Sequence, residues 1–208
     1  TVLDATIRRR GYSTDKFKTL ESADYKTPTL LQLASNHGHL FDAVLAHKYD
    51  LLESLVGALT EAGVSPDSYY YFGEALVHMV SRQGDAKALR IMMNYGCSVQ
   101  VADVHGLTPL HNCCGAAEPA FDVAEYILET DVRLLHMTDC RGASPLSYVR
   151  KEHWAFWIEF LEQKKDIFWP QRDLAKEGEQ EPPALAMLTL FAKSITSVIR
   201  VGGHMPSL

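Results

Sequence analysis

The run Asp103-Val104-His105-Gly106-Leu107-Thr108-Pro109-Leu110-His111-Asn112-Cys113-Cys114 decides the reading of this 208-residue chain. Thirty-six residues later comes Asp139-Cys140-Arg141-Gly142-Ala143-Ser144-Pro145-Leu146-Ser147. Both copies read Asp-x-x-Gly-x, then Thr or Ser, then Pro-Leu. Thirty-three residues before the first copy, Gly73-Glu74-Ala75-Leu76-Val77-His78 sets a Gly, an apolar residue and a His in register with Gly106, Leu110 and His111. A weaker copy begins at Thr29-Leu30-Leu31-Gln32-Leu33-Ala34-Ser35-Asn36-His37-Gly38-His39. Self-similarity at such a period marks stacked supersecondary units, each too small to bury its own apolar face.

The local chemistry agrees with that register. Thr108 and Ser144 are N-cap residue types, and Pro109 and Pro145 then fall at the first helical position, where a missing N–H costs nothing. Gly106 and Gly142 stand where a tight turn needs a permissive backbone. Each unit is expected to be a short inner helix, a loop, a longer outer helix and a projecting turn. The outer helix of the second unit is expected over about Ala86 to Tyr95, with Leu89, Met92 and Met93 on its apolar face and Gly96 ending it.

These copies resemble the ankyrin repeat family, whose unit of about 33 residues carries a Thr-Pro-Leu-His signature. The resemblance runs from about Thr27 to Asp173. It implies an all-α solenoid of about four repeats, after an extension over 1–26 and before a linker over 174–183 and a C-terminal helix and tail over 184–208. Departures locate insertions. From Gln32 to His78 is 46 residues, 13 more than one period, and the extra residues fall around Phe41–Asp50, before a helix at about Leu51–Ala62 ended by Gly63. The third repeat carries three extra residues, near Ala116–Pro119 and Arg133–His136. Such insertions map to loops, which often carry function.

Cys113 and Cys114 beside His111 invite a catalytic or metal-binding reading. In the aligned unit, however, they hold the places of a small Ala-Ala pair between inner helices, which Cys fits. Cys97 follows Gly96 in another small-residue place. The resemblance gives His78 and His111 a structural role, hydrogen bonding within their repeat and to the next, with Gln32 and Ser147 in that place in the end repeats. No Cys-x-x-Cys pair occurs among the four cysteines, and a reducing compartment is the default reading, cytoplasmic or an organellar interior. Neither a Gly-rich phosphate loop nor a paired-carboxylate constellation stands out, so no cofactor is expected.

Two groups of aromatics stand apart. In Tyr69-Tyr70-Tyr71-Phe72, the register puts Tyr71 and Phe72 at the tip of a projecting turn, as binding anchors or folded back on the insertion. Trp154, Phe156, Trp157, Ile158, Phe160 and Leu161 make the last outer helix apolar nearly all round, which predicts burial on two sides, with Phe168 and Trp169 adding to the area to be covered. The segment Ala184–Val201 is amphipathic at helical period, and Leu188, Phe191 and Ile195 are expected to pack on Trp154 or Trp157, within the chain or against a partner. It is short for a membrane span and carries Lys193 near its centre. Contact with a membrane surface stays open.

Net charge is −6, with 22% charged and 47% apolar residues, which suits a globular chain and offers no basic footprint for nucleic acid. Arg8-Arg9-Arg10 is the one basic cluster, and together with Asp4 it interrupts any signal-peptide core in the first ten residues. The expected function is non-catalytic protein–protein interaction by a scaffold. Family resemblance places the binding face on turn tips and inner helices: Tyr71, Phe72, Glu74, Arg82, Gln83, Val104, His105, Leu107, Cys140, Arg141, Lys151 and Glu152. A second surface would comprise Trp154, Trp157, Leu188, Phe191 and Ile195, and would dominate if the chain is an accessory subunit of a large assembly. An enzyme using Cys113 and His111 is the third reading.

Overall fold

The computed structural model describes residues 38–69 and 73–170. These fall into two compact units, one ending at Arg150 and the other beginning at Lys151. Among the described residues the structure is mostly helical and has no strand.

The first unit holds α1 (Gly38–Leu45), α2 (Tyr49–Glu61), α3 (Leu76–Gln83), α4 (Ala86–Asn94), α5 (Pro109–Cys114) and α6 (Phe121–Thr130), then short 3₁₀ helices at Val132–His136 and Pro145–Tyr148. The packing has two layers. α3 packs on α5, and α5 on the 3₁₀ turn Pro145–Tyr148; α2 packs on α4, and α4 on α6. Within pairs, α3 meets α4 and α5 meets α6. Apolar spacing explains the arrangement: Leu52 and Val56 of α2, Leu89 and Met92 of α4, and Val123 and Ile127 of α6 recur at three or four residues and are fully buried. Met93 is half-buried at the edge of that stripe. Gly63, Gly84 and Gly96 take φ of 70°, 73° and 93° just past α2, α3 and α4, the left-handed conformation that closes a helix.

Two expectations about elements are corrected. Residues 41–45 are not loop: they belong to α1, and only three residues separate it from α2. The inserted segment buries its own apolar stripe, Leu40, Ala43 and Val44, and so forms a helix. The turn puts His47 at φ 51°, and its ring Nδ1 lies 2.9 Å from Asp85, the N-cap of α4. In the fourth unit the inner helix is a single 3₁₀ turn, Pro145–Tyr148, because the backbone becomes extended at Val149. Of the third-repeat insertions, the one near Ala116–Pro119 lies in the six residues that join α5 to α6, whereas Arg133–His136 falls within the 3₁₀ helix Val132–His136. The copy at 29–37, including Gln32, lies outside the described residues.

The second unit is built on α7 (Trp154–Phe168). Trp154, Trp157, Phe160, Leu161 and Phe168 are buried, at spacings that fall on one stripe. Trp157, Phe160, Phe168 and Trp169 form a chain of edge-to-face rings with centroids 5.6–6.0 Å apart. Within the chain this helix buries one stripe, while Phe156 is 54% and Ile167 56% exposed. The linker over 174–183 and the segment Ala184–Val201, with Leu188, Phe191 and Ile195, lie outside the described residues, as does the extension over 1–26. No described helix is long and apolar enough to cross a membrane.

Candidate interaction surface

The turn tips are built by two aspartates. Asp103 Oδ1 accepts the N–H groups of His105 and Leu107, both at 2.8 Å; Asp139 Oδ1 accepts those of Arg141 at 2.9 Å and Ala143 at 2.8 Å. Each turn is closed by two backbone bonds: the Asp103 and Asp139 N–H groups donate to the Leu107 and Ala143 carbonyls, and the Gly106 and Gly142 N–H groups donate back to the Asp103 and Asp139 carbonyls. Gly106 and Gly142 take φ of 77° and 79°. Gly106 is needed twice over, because a Cβ there would stand 3.2 Å from both Asp139 Cα and Cys140 N. That closeness lets the Cys140 N–H donate to the His105 carbonyl at 2.8 Å, tying one tip to the next.

Histidines anchor the tips from below. His78 Nδ1 accepts the Ala75 N–H at 3.0 Å, and its Nε2 lies 2.9 Å from the Leu107 carbonyl. His111 repeats this, with the Thr108 N–H at 3.1 Å on Nδ1 and the Ala143 carbonyl 3.2 Å from Nε2. Acceptance at Nδ1 places the proton of the neutral ring on Nε2, which donates to the following unit. The Thr108 hydroxyl also turns to His111 Nδ1, at 2.9 Å. Thr108 and Ser144 both occupy N-cap positions with extended backbone, and Pro109 and Pro145 begin their helices. Where Ser147 replaces His, only a local contact remains, to the Ser144 hydroxyl at 3.2 Å. Burial lowers the ring pKa of His78, and that of His111 to about 4, against smaller opposing contributions from the bonded carbonyls and nearby aspartates. Burial likewise lowers His136 to about 4.

The expected face residues divide by exposure. Val104 is 57% exposed, and Arg82, Gln83, His105, Cys140 and Arg141 are exposed with it, whereas Leu107 and Glu74 are half-buried. Arg82 pairs with Glu74 at 2.5 Å. Lys151 and Glu152 are exposed in the second unit, and Trp154 and Trp157 are buried there. Tyr71 and Phe72 lie outside the described residues. Their neighbour Tyr69 points inward: it is 3% exposed, and burial pushes its phenol up to about 12.

Sequence reasoning passed over Tyr148. Its hydroxyl donates to Asp139 Oδ2 at 2.5 Å and accepts from Arg141 Nη2 at 2.6 Å. Its ring stands edge-on to His111, centroids 5.6 Å apart. Burial raises the Asp139 carboxyl pKa, but bonds from Tyr148, Ala143 and Arg141 outweigh that and hold it below the usual carboxylate range. The signal in sequence was the Asp-to-Tyr spacing of nine within one unit, which only a fold-back turn makes close.

Cys97, Cys113 and Cys114 are buried and Cys140 exposed, all as free thiols. Burial pushes the Cys113 thiol up to about 12 and Cys114 well above the ordinary range, the reverse of what an activated nucleophile needs. Among the described residues no three His, Cys, Asp or Glu side chains gather as metal ligands.

No family model matches the chain. A stretch of 49 residues, 24% of the chain, is 35% identical to the ADP-ribosylation factor GTPase-activating protein AGD2 of Arabidopsis thaliana. The chain covers 6% of that curated relative's length.

Proposed function

We propose that the chain is a non-catalytic protein–protein interaction module: an ankyrin-type array whose turn tips and inner-layer helices present a preformed surface to a protein partner. The observation that carries this reading is the repeated histidine bond. His78 and His111 each fix the base of the following tip, so that Val104, His105, Cys140 and Arg141 project from a rigid support. A surface ordered in advance loses less conformational freedom on association. Against chemistry stand the buried, protonated thiols and the engagement of both His111 nitrogens.

A second reading, accessory subunit of a larger assembly, is favoured by one observation, the exposed Phe156 and Ile167 of α7. Affinity purification of the intact chain separates the two. Quantitative comparison with Val104→Glu and with Phe156→Glu should show partner loss for the tip variant under the first reading and for the α7 variant under the second. Retention of every partner by Val104→Glu overturns the first.

A further inference from the structure

We infer that Arg141 is a preorganised anchor for a carboxylate of the protein partner; this rests on the interaction reading above. The Arg141 side chain is 72% exposed, yet its guanidinium is held on one edge. Its Nε donates to Asp139 Oδ2 at 3.4 Å and its Nη2 to the Tyr148 hydroxyl at 2.6 Å. That hydroxyl in turn donates to Asp139 Oδ2, and the Arg141 backbone N–H bonds the other carboxylate oxygen. Nε and Nη2 form one side of the planar fork. The end-on edge, one N–H from each Nη, has no partner among the described residues. Two parallel N–H donors on a fixed plane match the two oxygens of a carboxylate.

The surroundings favour an external carboxylate over an internal one. The Asp139 side chain is 1% exposed, and both its oxygens are occupied by Tyr148, Arg141 and Ala143. Asp103 turns its Oδ1 to the N–H groups of its own loop. Arg141 thus points its remaining donors outward, since Asp139 is engaged at both oxygens and, among the described residues, no bond joins Asp103 to the guanidinium. The bond from Cys140 to His105 brings the two tips together, so the exposed Val104 shares the patch. The ligand is accordingly an acidic peptide segment, a Glu or Asp side chain on the Arg141 fork beside an aliphatic residue on Val104. Tyr148 is a positioning residue, acting only through Arg141.

The test begins with a random-peptide display library panned against the full chain. The best peptide is then made in three forms: its selected acid, the matching Gln or Asn, and phosphoserine. Binding is measured with the parent chain and with Val104→Glu, Arg141→Gln, Arg141→Lys and Tyr148→Phe, each first shown to keep the parent's Tm. The acid form should bind about 10- to 100-fold tighter than its amide, the range of a charged bidentate hydrogen bond. Arg141→Gln should abolish that preference, Arg141→Lys keep a small part of it, and Tyr148→Phe narrow it with Arg141 still present. Selected peptides that respond to Val104→Glu but bind acid and amide alike, or ignore Arg141→Gln, overturn the inference and leave the interaction reading standing. Tighter binding of phosphoserine than of the acid overturns the carboxylate assignment. Peptides indifferent to every tip variant remove the interaction reading and this inference with it.

Discussion

Acidification from pH 7 to pH 5 should weaken the fold through its buried histidines. In the folded chain His111 cannot take a second ring proton without losing the Thr108 N–H bond on Nδ1, and burial lowers its pKa to about 4. In the unfolded chain it titrates near 6.5. The unfolded state then binds more protons between these two values, so stability is fully present above the unfolded pKa and is lost as pH falls toward the folded one. At pH 5 the unfolded ring is almost wholly protonated and the folded ring about a tenth, which by linkage costs about 2 kcal/mol relative to pH 7. His136, also lowered to about 4, adds a similar loss, and His78 adds one of the same sign. Asp131 and Asp139 are held below the usual carboxylate range, so their contributions fade only at pH values near and below 4. The assay is urea unfolding of the intact chain at half-unit steps from pH 7.5 to 5, followed by far-UV circular dichroism. Stability should fall by about 4 kcal/mol or more across the range. His111→Gln should start lower but show a shallower slope, by about 2 kcal/mol over the window, because the titrating ring is gone. Stability that stays flat between pH 7 and 5, or an unchanged slope in His111→Gln, refutes the reasoning.

Other expectations separate the tips, caps and thiols. Gly106→Ala should lower Tm clearly more than Gly142→Ala, since both have positive φ but only the former meets backbone atoms at 3.2 Å; φ alone costs about 1–2 kcal/mol, and equal losses would show that the two tips do not touch. Thr108→Ala should cost about 1 kcal/mol by chemical denaturation, through the cap position and the bond to His111, and an unchanged midpoint would remove that role. In native chain a thiol reagent should label Cys140 quickly and Cys97, Cys113 and Cys114 only on unfolding, read by mass spectrometry; fast labelling of Cys113 would contradict its burial. Cys113→Ala and Cys114→Ala should leave binding intact, since neither thiol reaches the surface.

The period is legible in the residues alone, and much else follows from it. Once Gly106 and Gly142, Thr108 and Ser144, and His78 and His111 fell in register, the cap positions, the positive-φ turns and the recurring histidine followed, because each is a demand of local backbone geometry. The register also put Cys113 and Cys114 in small-residue places, and both are buried. What covers an apolar face is another matter, since a 3.6-residue pattern states that a face is buried without saying by what. Residues 41–45 read as an insertion and fold as part of α1; α7 reads as apolar nearly all round and buries one stripe within the chain, with Phe156 exposed. The run Tyr69-Tyr70-Tyr71-Phe72 does not say which of its rings turns inward, and tertiary packing buries Tyr69. Arg141 is the sharpest case: a sequence shows an exposed cation, but only the fold-back that brings Tyr148 and Asp139 to one edge of its guanidinium decides which donors remain for a partner.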